Sequence, residues 1–147
     1  MSHNSDFVTV TVARQLFGIP VLTVQDILGP QRITRIPLAP PEVAGALNLR
    51  GRIVTAIDVR SRLRLPPRKP GDEGMAVVVE HDQELYSLLI DSVGDVLSLP
   101  DSAFERNPAT MDPVWREVSV GIYRLKDELM MVLDVDRLLT IDRAMAA

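Results

Sequence analysis

Residues 43–63 carry the pattern that decides the fold: Val43-Ala-Gly-Ala-Leu-Asn-Leu-Arg-Gly-Arg-Ile-Val-Thr-Ala-Ile-Asp-Val-Arg-Ser-Arg-Leu63. Two short apolar runs, Ala46–Leu49 and Ile53–Ile57, flank Arg50-Gly51, where glycine supplies the positive φ of a tight hairpin turn. Asp58 then stands where its carboxylate can accept the unpaired N–H groups of a short helix. The stretch therefore predicts strand, turn, strand and capped helix.

The same plan occurs a second time along the chain. Gly45–Leu63 aligns with Gly121–Leu139 at an offset of 76, and Asp58 matches Asp134. An upstream segment, Val8–Leu28, aligns with Val77–Leu97 at an offset of 69. The second copy therefore carries seven extra residues between its two segments. We expect two copies of one unit of about 70 residues, which is the size of a small domain.

The remaining elements also read as short strands separated by Gly and Pro turns, which favours barrels or sandwiches over a parallel sheet. Phe7–Val12 alternates apolar and polar side chains, as a half-buried strand does. Pro20 suggests an edge or a bulge in the stretch Phe17–Ile27. Further predicted elements are a turn at Pro40–Glu42, a helix at Arg60–Leu63, strands at Met75–Val79, Leu85–Ile90, Val93–Leu97, Val118–Leu125 and Leu129–Leu133, and a helix at Val135–Ile141. The predicted fold is all-β, with two small five-stranded barrels.

The segment between the two copies, residues 66–74, is rich in Pro, Gly and charge and predicts an exposed linker. We expect one domain over residues 1–147, with a first barrel at about 7–65 and a second at about 75–141. Barrels this small hold little internal space, so function belongs on their outer surfaces and in the cleft between them.

Composition and charge exclude several classes of protein. Apolar residues make up 46% and charged residues 24%, which suits a soluble globular chain rather than a disordered one. The net charge of −4 divides into +4 over residues 1–74 and −8 over residues 75–147, whereas a nucleic-acid binder is usually basic throughout. No apolar run approaches a membrane span, and the N-terminus lacks a signal peptide's apolar stretch, so we expect a cytoplasmic protein.

A search for catalytic, cofactor-binding and metal-binding residues finds no constellation for any of them. The chain has no cysteine and two histidines, His3 and His81, neither with a partner at metal-ligand spacing. Gly71–Gly74 is acidic and lacks the lysine of a phosphate-binding loop. Asp134 and Asp136 resemble a calcium ligand pair, but helix capping explains Asp134 better. We expect no enzymatic activity, no cofactor and no metal.

The strings Ile33–Pro37, Val43–Gly51 and Ile53–Arg60 closely resemble the CheW family of chemotaxis coupling proteins. Phe17-Gly-Ile with Val24–Ile27 is similar to the family's first-barrel strand, and Asp91–Leu97 to its second-barrel counterpart. The similarity spans about residues 7–141. Two positions depart from it: Thr55 stands where many members carry proline, and Asp26 where many carry glutamate. The resemblance implies two intertwined five-stranded SH3-like β-barrels with short helices.

The resemblance also implies a function, an adaptor that binds the cytoplasmic tip of a chemoreceptor and the regulatory domain of the CheA histidine kinase in receptor arrays. It implies recruitment to those arrays without insertion into the membrane. Val24 and Asp26 match the family's receptor-contact strand, and Gly45 and Arg50 match positions tied to receptor or kinase coupling. Two alternatives stay open: a scaffold domain of a CheV-like protein or of a kinase, and a small β-barrel enzyme or nucleic-acid binder.

Overall fold

The computed structural model describes residues 3–140. Within that range the chain forms eleven strands and three short α-helices. They are β1 (Asn4–Val12), β2 (Gln15–Pro20), β3 (Val24–Leu28), β4 (Val43–Leu49), β5 (Arg52–Asp58), α1 (Val59–Arg62), β6 (Met75–His81), β7 (Glu84–Ile90), β8 (Ser92–Pro100), β9 (Phe104–Glu105), α2 (Pro113–Val118), β10 (Ser119–Arg124), β11 (Leu129–Leu133) and α3 (Val135–Leu138). The prediction of an all-β fold with short helices is confirmed.

The strands form two sheets, and each sheet draws strands from both halves of the chain. One has the order β3-β6-β7-β5-β4, and the other has the order β8-β1-β2-β11-β10-β9. We call them the first sheet and the second sheet. The hairpin β6–β7 thus belongs to the first sheet, and the equivalent hairpin β1–β2 belongs to the second. This reciprocal exchange of hairpins is how the two halves of the chain are intertwined. The predicted bounds 7–65 and 75–141 therefore delimit the two copies in the sequence. Each sheet combines strands from both copies.

Three apolar cores follow from this exchange. The largest lies between the two sheets and includes Val10, Phe17, Val79 and Leu138. A smaller core fills the inside of the first sheet around Leu47, Val54 and Ala56. The third fills the inside of the second sheet around four residues, Phe7, Tyr123, Met130 and Val132. The two exchanged hairpins, β1–β2 and β6–β7, each have one face in the large core and the other face in one of the smaller cores.

The exchange also corrects one expectation about β1. Its alternation of Val and Thr predicts a strand with one face in water, yet Thr9 is as buried as its apolar neighbours. Both faces of β1 are covered because its side chains pack into two cores, Val8, Val10 and Val12 into the large one and Phe7 into the core of the second sheet. The Thr9 hydroxyl donates to the Asp95 carbonyl oxygen at 2.6 Å, which satisfies the buried polar group. Pro20 ends β2, where it needs no ladder hydrogen bond.

The predicted Arg50-Gly51 turn is present in the first copy, and the aspartate caps are present in both copies. Arg50 and Gly51 both have positive φ, 53° and 85°, between β4 and β5. The carboxylates of Asp58 and Asp134 accept the N–H groups of Ser61 and Arg137, each at 3.2 Å. The predicted turn at residues 40–42 is closed by a bond from the Val43 N–H to the Pro40 carbonyl oxygen. Helix α3 ends at Leu138, and the predicted last helical residue, Ile141, lies outside the described residues.

The seven extra residues of the second copy belong to a stretch that includes α2, which the sequence did not predict. The Asp112 carboxylate caps this helix, with Pro113 at its first position. Trp115 packs against Phe17 with ring centroids 5.7 Å apart, and its indole N–H donates to the Leu63 carbonyl oxygen at 3.0 Å. Helix α2 therefore covers the large core on one side and holds the end of the first-copy helix.

Candidate functional site

The four predicted site residues lie on the two edge strands of the first sheet and on the turn that follows one of them. Val24 and Asp26 belong to β3, Gly45 belongs to β4, and Arg50 is in the turn after β4. Strands β3 and β4 are the two edges of this sheet. The structure brings Asp26 and Arg50 into contact, whereas Val24 and Gly45 make separate interactions.

Asp26 and Arg50 form an ion pair between the two edge strands. The Arg50 Nη2 atom lies 3.1 Å from Asp26 Oδ2, with the side chains 78% and 27% exposed respectively. Asp26 uses its other oxygen, Oδ1, to accept the N–H of Ile27 at 2.9 Å. The carboxylate is therefore fixed in place while the guanidinium keeps most of its surface in water. Such a group can exchange its intramolecular partner for one on another protein.

The turn that holds Arg50 explains the motif Asn48-Leu49-Arg50-Gly51. The Asn48 side-chain oxygen accepts the Gly51 N–H at 2.9 Å, which fixes the hairpin geometry. Positive φ at both central residues is the conformation of a tight two-residue hairpin turn. The sequence identified Arg50 and Gly51 as a turn but gave no role to Asn48. Asn48 positions the backbone of Arg50, and the turn directs the guanidinium toward β3.

A shallow cleft of about 170 Å³ lies beside the ion pair. Gln25 and Arg52 line it together with the pair, and Leu49, Val78 and Leu85 form its apolar part. Two cations, Arg50 and Arg52, therefore face one carboxylate, Asp26. The surface near this cleft carries net positive charge, and the apolar residues give it a small hydrophobic floor.

Val24 lies at the start of β3, and only part of its side chain is exposed. It packs against the large core between the sheets, as does its second-copy counterpart Val93. The ladder between β3 and β6 shifts register between Val24 and Asp26, which is the geometry of a β-bulge at Gln25. Val24 is thus both a core residue and an edge residue, and its assignment to a receptor surface stays a prediction.

Gly45 allows a close crossing of two chain segments. A Cβ atom at this position would lie within van der Waals overlap of the Thr34 carbonyl oxygen, and φ is +150°. Thr34 and Ala46 exchange two backbone hydrogen bonds of 2.8 Å at the same crossing. Gly121 has the same relation to Glu105 on β9. Gly45 therefore has a structural role that the second copy repeats, and a role in coupling stays a prediction.

The strongest electrostatic cluster that the sequence did not predict surrounds Asp91. Arg60 donates to both carboxylate oxygens, from Nε at 3.1 Å and from Nη2 at 2.7 Å, and the Ala13 N–H donates at 2.8 Å. Arg68 of the linker lies 3.4 Å from the same carboxylate. Burial alone would raise the pKa of Asp91, but these hydrogen bonds and positive charges outweigh it and lower the pKa below its usual value. The cluster ties the linker to both copies.

The described part of the chain contains neither a metal-binding cluster nor a membrane-spanning helix. Over residues 3–140, no group of three or more His, Cys, Asp or Glu side chains is arranged to hold a metal ion. No helix in that range is both long and apolar enough to cross a bilayer.

Comparison with known proteins gives one family. The sequence model of the CheW-like domain matches residues 6–143. The chemotaxis protein CheW of Klebsiella aerogenes is 29% identical over 135 residues, which cover 92% of this chain and 81% of the relative. The probable chemotaxis protein CheW of Rhizobium etli is 24% identical over 142 residues, covering 97% and 92%. The crystal structure of the scaffolding protein TtCheW from Thermoanaerobacter tengcongensis aligns with a TM-score of 0.84 at 24% identity, covering 95% of this chain and 94% of the other.

Proposed function

The chain belongs to the CheW-like domain family, and we propose that it is a non-enzymatic chemotaxis adaptor that couples a chemoreceptor to the CheA histidine kinase. The match extends over residues 6–143, nearly all of the chain. The observation that carries the proposal is the Asp26–Arg50 ion pair, which places a fixed carboxylate and an exposed guanidinium side by side at a sheet edge.

The receptor surface that we propose consists of β3 and the Arg50 turn. A receptor tip is helical, and a helix presents apolar anchors and charged flanks to the surface that it docks against. Here Ile27 exposes 41% of its surface on β3, and the partly exposed Val24 precedes the ion pair. Arg50 and Asp26 at the rim then select a partner by charge, because rim charges affect specificity and association rate more than affinity.

The kinase contact that we propose uses the charge difference between the two halves. Residues 1–74 carry +4 and residues 75–147 carry −8. The hairpin connection after β4 presents Arg50 and, at the start of β5, Arg52, whereas the equivalent turn after β10 presents Lys126, Asp127 and Glu128, with a net charge of −1. Contacts of opposite sign between the first half of one protein and the second half of a related domain favour a head-to-tail arrangement. Exposed charges are screened over roughly 8 Å at physiological salt, so raising salt should weaken kinase binding.

The decisive experiment is autophosphorylation of a cognate CheA kinase with receptor, measured with the wild-type protein and with charge variants. We expect Arg50→Glu to reduce receptor-dependent kinase activity strongly while thermal melting stays within a few degrees of wild type. The double variant Arg50→Glu/Asp26→Arg restores the ion pair with reversed sign. We expect it to melt like the wild type and still to lose coupling, because a partner reads the individual charges.

Arg124→Glu is the matched control for Arg50→Glu. Arg124 is also an exposed arginine in an ion pair, with Glu105 at 2.8 Å, but it lies on β10 in the second sheet. It should leave receptor coupling unchanged. Full receptor-dependent activity of the Arg50→Glu protein would refute the proposed surface, and equal losses in both variants would assign the effect to charge in general.

Val24→Asp tests the apolar part of the proposed surface, and Val93→Asp is its matched control. Both valines pack against the large core, so both substitutions bury an uncompensated carboxylate and should lower thermal stability. Receptor pull-down at a temperature where both variants are folded separates the two roles. We expect Val24→Asp alone to lose receptor binding. If both variants lose binding in proportion to stability, Val24 is a core residue only.

A further inference from the structure

A pocket beside the Asp91 cluster is lined by more cations than the cluster uses. It measures about 460 Å³, within the usual range for small-ligand sites. Its walls come from the β1–β2 turn, helix α1, the linker and the residue after β7. The charged residues of the lining are four cations and two carboxylates, namely Arg14, Arg60, Arg68, Lys69, Asp72 and Asp91. We call this site the basic pocket.

The inner part of the basic pocket is fixed by hydrogen bonds. Asp91 accepts three of them, two from Arg60 and one from the Ala13 N–H. Arg60 also donates from Nη1 to the Pro66 carbonyl oxygen at 2.8 Å. Arg60 and Asp91 therefore neutralise each other, and together they hold the turn, the helix and the linker in one arrangement.

Arg68 keeps donors that the fold does not use. Its Nη2 atom donates to the Ile90 carbonyl oxygen at 3.1 Å, which fixes the side chain. Its Nε atom lies 3.4 Å from Asp91 Oδ1, yet neither Nε nor Nη1 makes a hydrogen bond within the part of the chain that the structure describes. Since the oxygens of Asp91 accept from Arg60 and Ala13, the charge of Arg68 is only partly compensated.

Two further cations lie at the rim of the basic pocket. Arg14 and Lys69 are exposed, and residues 3–140 provide no ion pair or hydrogen bond to either side chain. Asp72, which is also exposed, is the remaining carboxylate of the lining. Four cations against two carboxylates leave the pocket with a net charge of +2.

The equivalent place in the other half of the molecule is acidic. At the offset of 69, the turn Ala13-Arg14 corresponds to Asp82-Gln83, which has the same pair of positive φ angles. At the offset of 76, Arg60 corresponds to Asp136, which lies 2.7 Å from His81. The same backbone thus forms with either charge, so the shared architecture does not require the cations of the basic pocket.

We propose that the basic pocket binds a small soluble anion with two or more linked phosphoryl groups. Guanidinium groups such as those of Arg14 and Arg68 bind phosphate oxygens through two parallel hydrogen bonds, and Lys69 adds a point charge. Because the cations come from separate segments around the pocket, a chain of phosphoryl groups contacts more of them than a single phosphate does. The site uses no residue of the proposed receptor surface, so it is tested independently of the adaptor role.

The experiment is calorimetric titration of the full chain with pyrophosphate and with orthophosphate at constant ionic strength. Arg14→Gln/Lys69→Gln removes two cations whose side chains support no other group, so its melting temperature without ligand should equal that of the wild type. We expect the wild type to bind one pyrophosphate, more tightly than orthophosphate. The double variant should bind pyrophosphate about tenfold more weakly or worse, because it loses two charged contacts.

Arg106→Gln/Lys126→Gln is the matched control. It also removes one exposed arginine and one exposed lysine without an ion pair in residues 3–140, and both lie outside the basic pocket. Its affinity for pyrophosphate should equal that of the wild type. Equal losses in the two double variants would assign the binding to overall charge and would overturn the proposal.

Asp72→Asn tests the basic pocket in the opposite direction. It removes a carboxylate from the lining, so it should tighten pyrophosphate binding severalfold. Asp127→Asn makes the same change of charge at an exposed residue outside the pocket and should leave the affinity unchanged. An Asp72→Asn protein that binds no more tightly than the Asp127→Asn protein would contradict the assignment.

Vesicles that contain phosphatidic acid distinguish a lipid headgroup from a soluble anion as the source of the phosphoryl groups. We expect the protein to stay in solution when such vesicles are sedimented. Sedimentation with the vesicles, combined with no saturable heat from pyrophosphate up to about 10 mM, would show that the ligand is a membrane lipid and would refute the soluble anion. Absence of binding to both probes would refute the site altogether.

Discussion

The two halves of the molecule follow one plan, and their differences separate structural residues from candidate functional ones. Asp58 and Asp134 cap equivalent helices, Gly45 and Gly121 allow equivalent crossings, and Val24 and Val93 pack against the same core. These matched residues perform the same task twice. An interaction that recurs in both halves is therefore explained by the fold.

The interactions that occur in one half are of a different kind. In the first half, Arg50 forms an ion pair with Asp26. In the second half, Lys126, the counterpart of Arg50, is exposed, and Asp95, the counterpart of Asp26, accepts the Thr9 hydroxyl with its backbone oxygen. The second half alone has helix α2, with Trp115 in the wall of a groove of about 700 Å³ that we call the Trp115 groove. Because the fold tolerates the absence of each feature in the other half, neither is needed for the shared architecture. The asymmetric features are the better candidates for partner binding.

The glycine pair gives the largest expected effect on stability. Gly45→Ala should lower the free energy of unfolding by about 3 kcal/mol, since its Cβ would overlap a backbone oxygen at a φ that disfavours alanine. That loss corresponds to a melting temperature lower by roughly 10 °C. Gly121→Ala should cost less, about 2 kcal/mol, because its Cβ would lie farther from a backbone oxygen, at 2.6 Å, than a Cβ at Gly45 would, and Gly121 lacks the positive φ of Gly45. Calorimetric melting of both variants checks the order.

Gly29→Ala is the control for the glycine pair, because a Cβ at that position meets nothing within 4 Å. Its melting temperature should match that of the wild type. Equal stability of the Gly45→Ala and Gly29→Ala proteins would show that the crossing is not tight.

The Asp91 cluster gives the next largest effect, and it exists in one half only, since the aligned position in the first copy is the exposed Leu22. Asp91→Asn removes the charge that Arg60 and Arg68 share, and should cost about 2 kcal/mol at neutral pH. Urea unfolding at pH 7 measures this loss. A cost below about 0.5 kcal/mol would mean that the cluster contributes little to holding the linker.

The lowered pKa of Asp91 also predicts a pH dependence. A carboxyl group whose pKa is lower in the folded state stabilises the protein above its unfolded pKa, near pH 4, and loses that contribution as the pH falls through the folded value. Wild-type stability should therefore fall more steeply below about pH 4 than that of Asp91→Asn. Parallel curves for the two proteins would contradict this assignment.

The helix caps test how closely the halves correspond. Asp58→Ala and Asp134→Ala each remove a carboxylate that accepts an N–H at 3.2 Å, and each should cost about 1 kcal/mol. We expect the two losses to agree within about 0.5 kcal/mol and to add in the double variant, because the caps share no partner. Chemical denaturation of the three proteins is the measurement. Strongly unequal losses would mean that the helices have diverged in their contribution.

The Asp26–Arg50 pair should have the smallest effect on stability. Exposed ion pairs contribute about 0.5 kcal/mol, and Arg50 is mostly in water. A double-mutant cycle with Asp26→Asn and Arg50→Gln should give a coupling of that size, similar to a cycle on Glu105 and Arg124. A coupling above about 2 kcal/mol would make the pair a structural clasp and would weaken its assignment to partner binding.

The sequence by itself determined most of the strands, the Arg50-Gly51 turn, the two aspartate caps and the duplication, because these depend on local periodicity and on residues with special backbone or capping chemistry. It missed β9 and did not separate β2 from β3 within residues 17–27. Only the tertiary structure decided that the hairpins β1–β2 and β6–β7 change places, since both pairings satisfy the same alternation of apolar residues. That exchange buries both faces of β1, which local pattern alone presents as half-exposed.

The candidate site divides in the same way. Arg50 and Asp26 were both identified as site residues by resemblance, but their contact joins residues 24 positions apart on opposite edges of a sheet. The Asp91 cluster, the basic pocket and the Trp115 groove gave no local signal. Ion pairs, solvent exposure and cavities depend on which distant segments are in tertiary contact. The sequence pattern constrains those contacts only through the requirement to bury apolar faces.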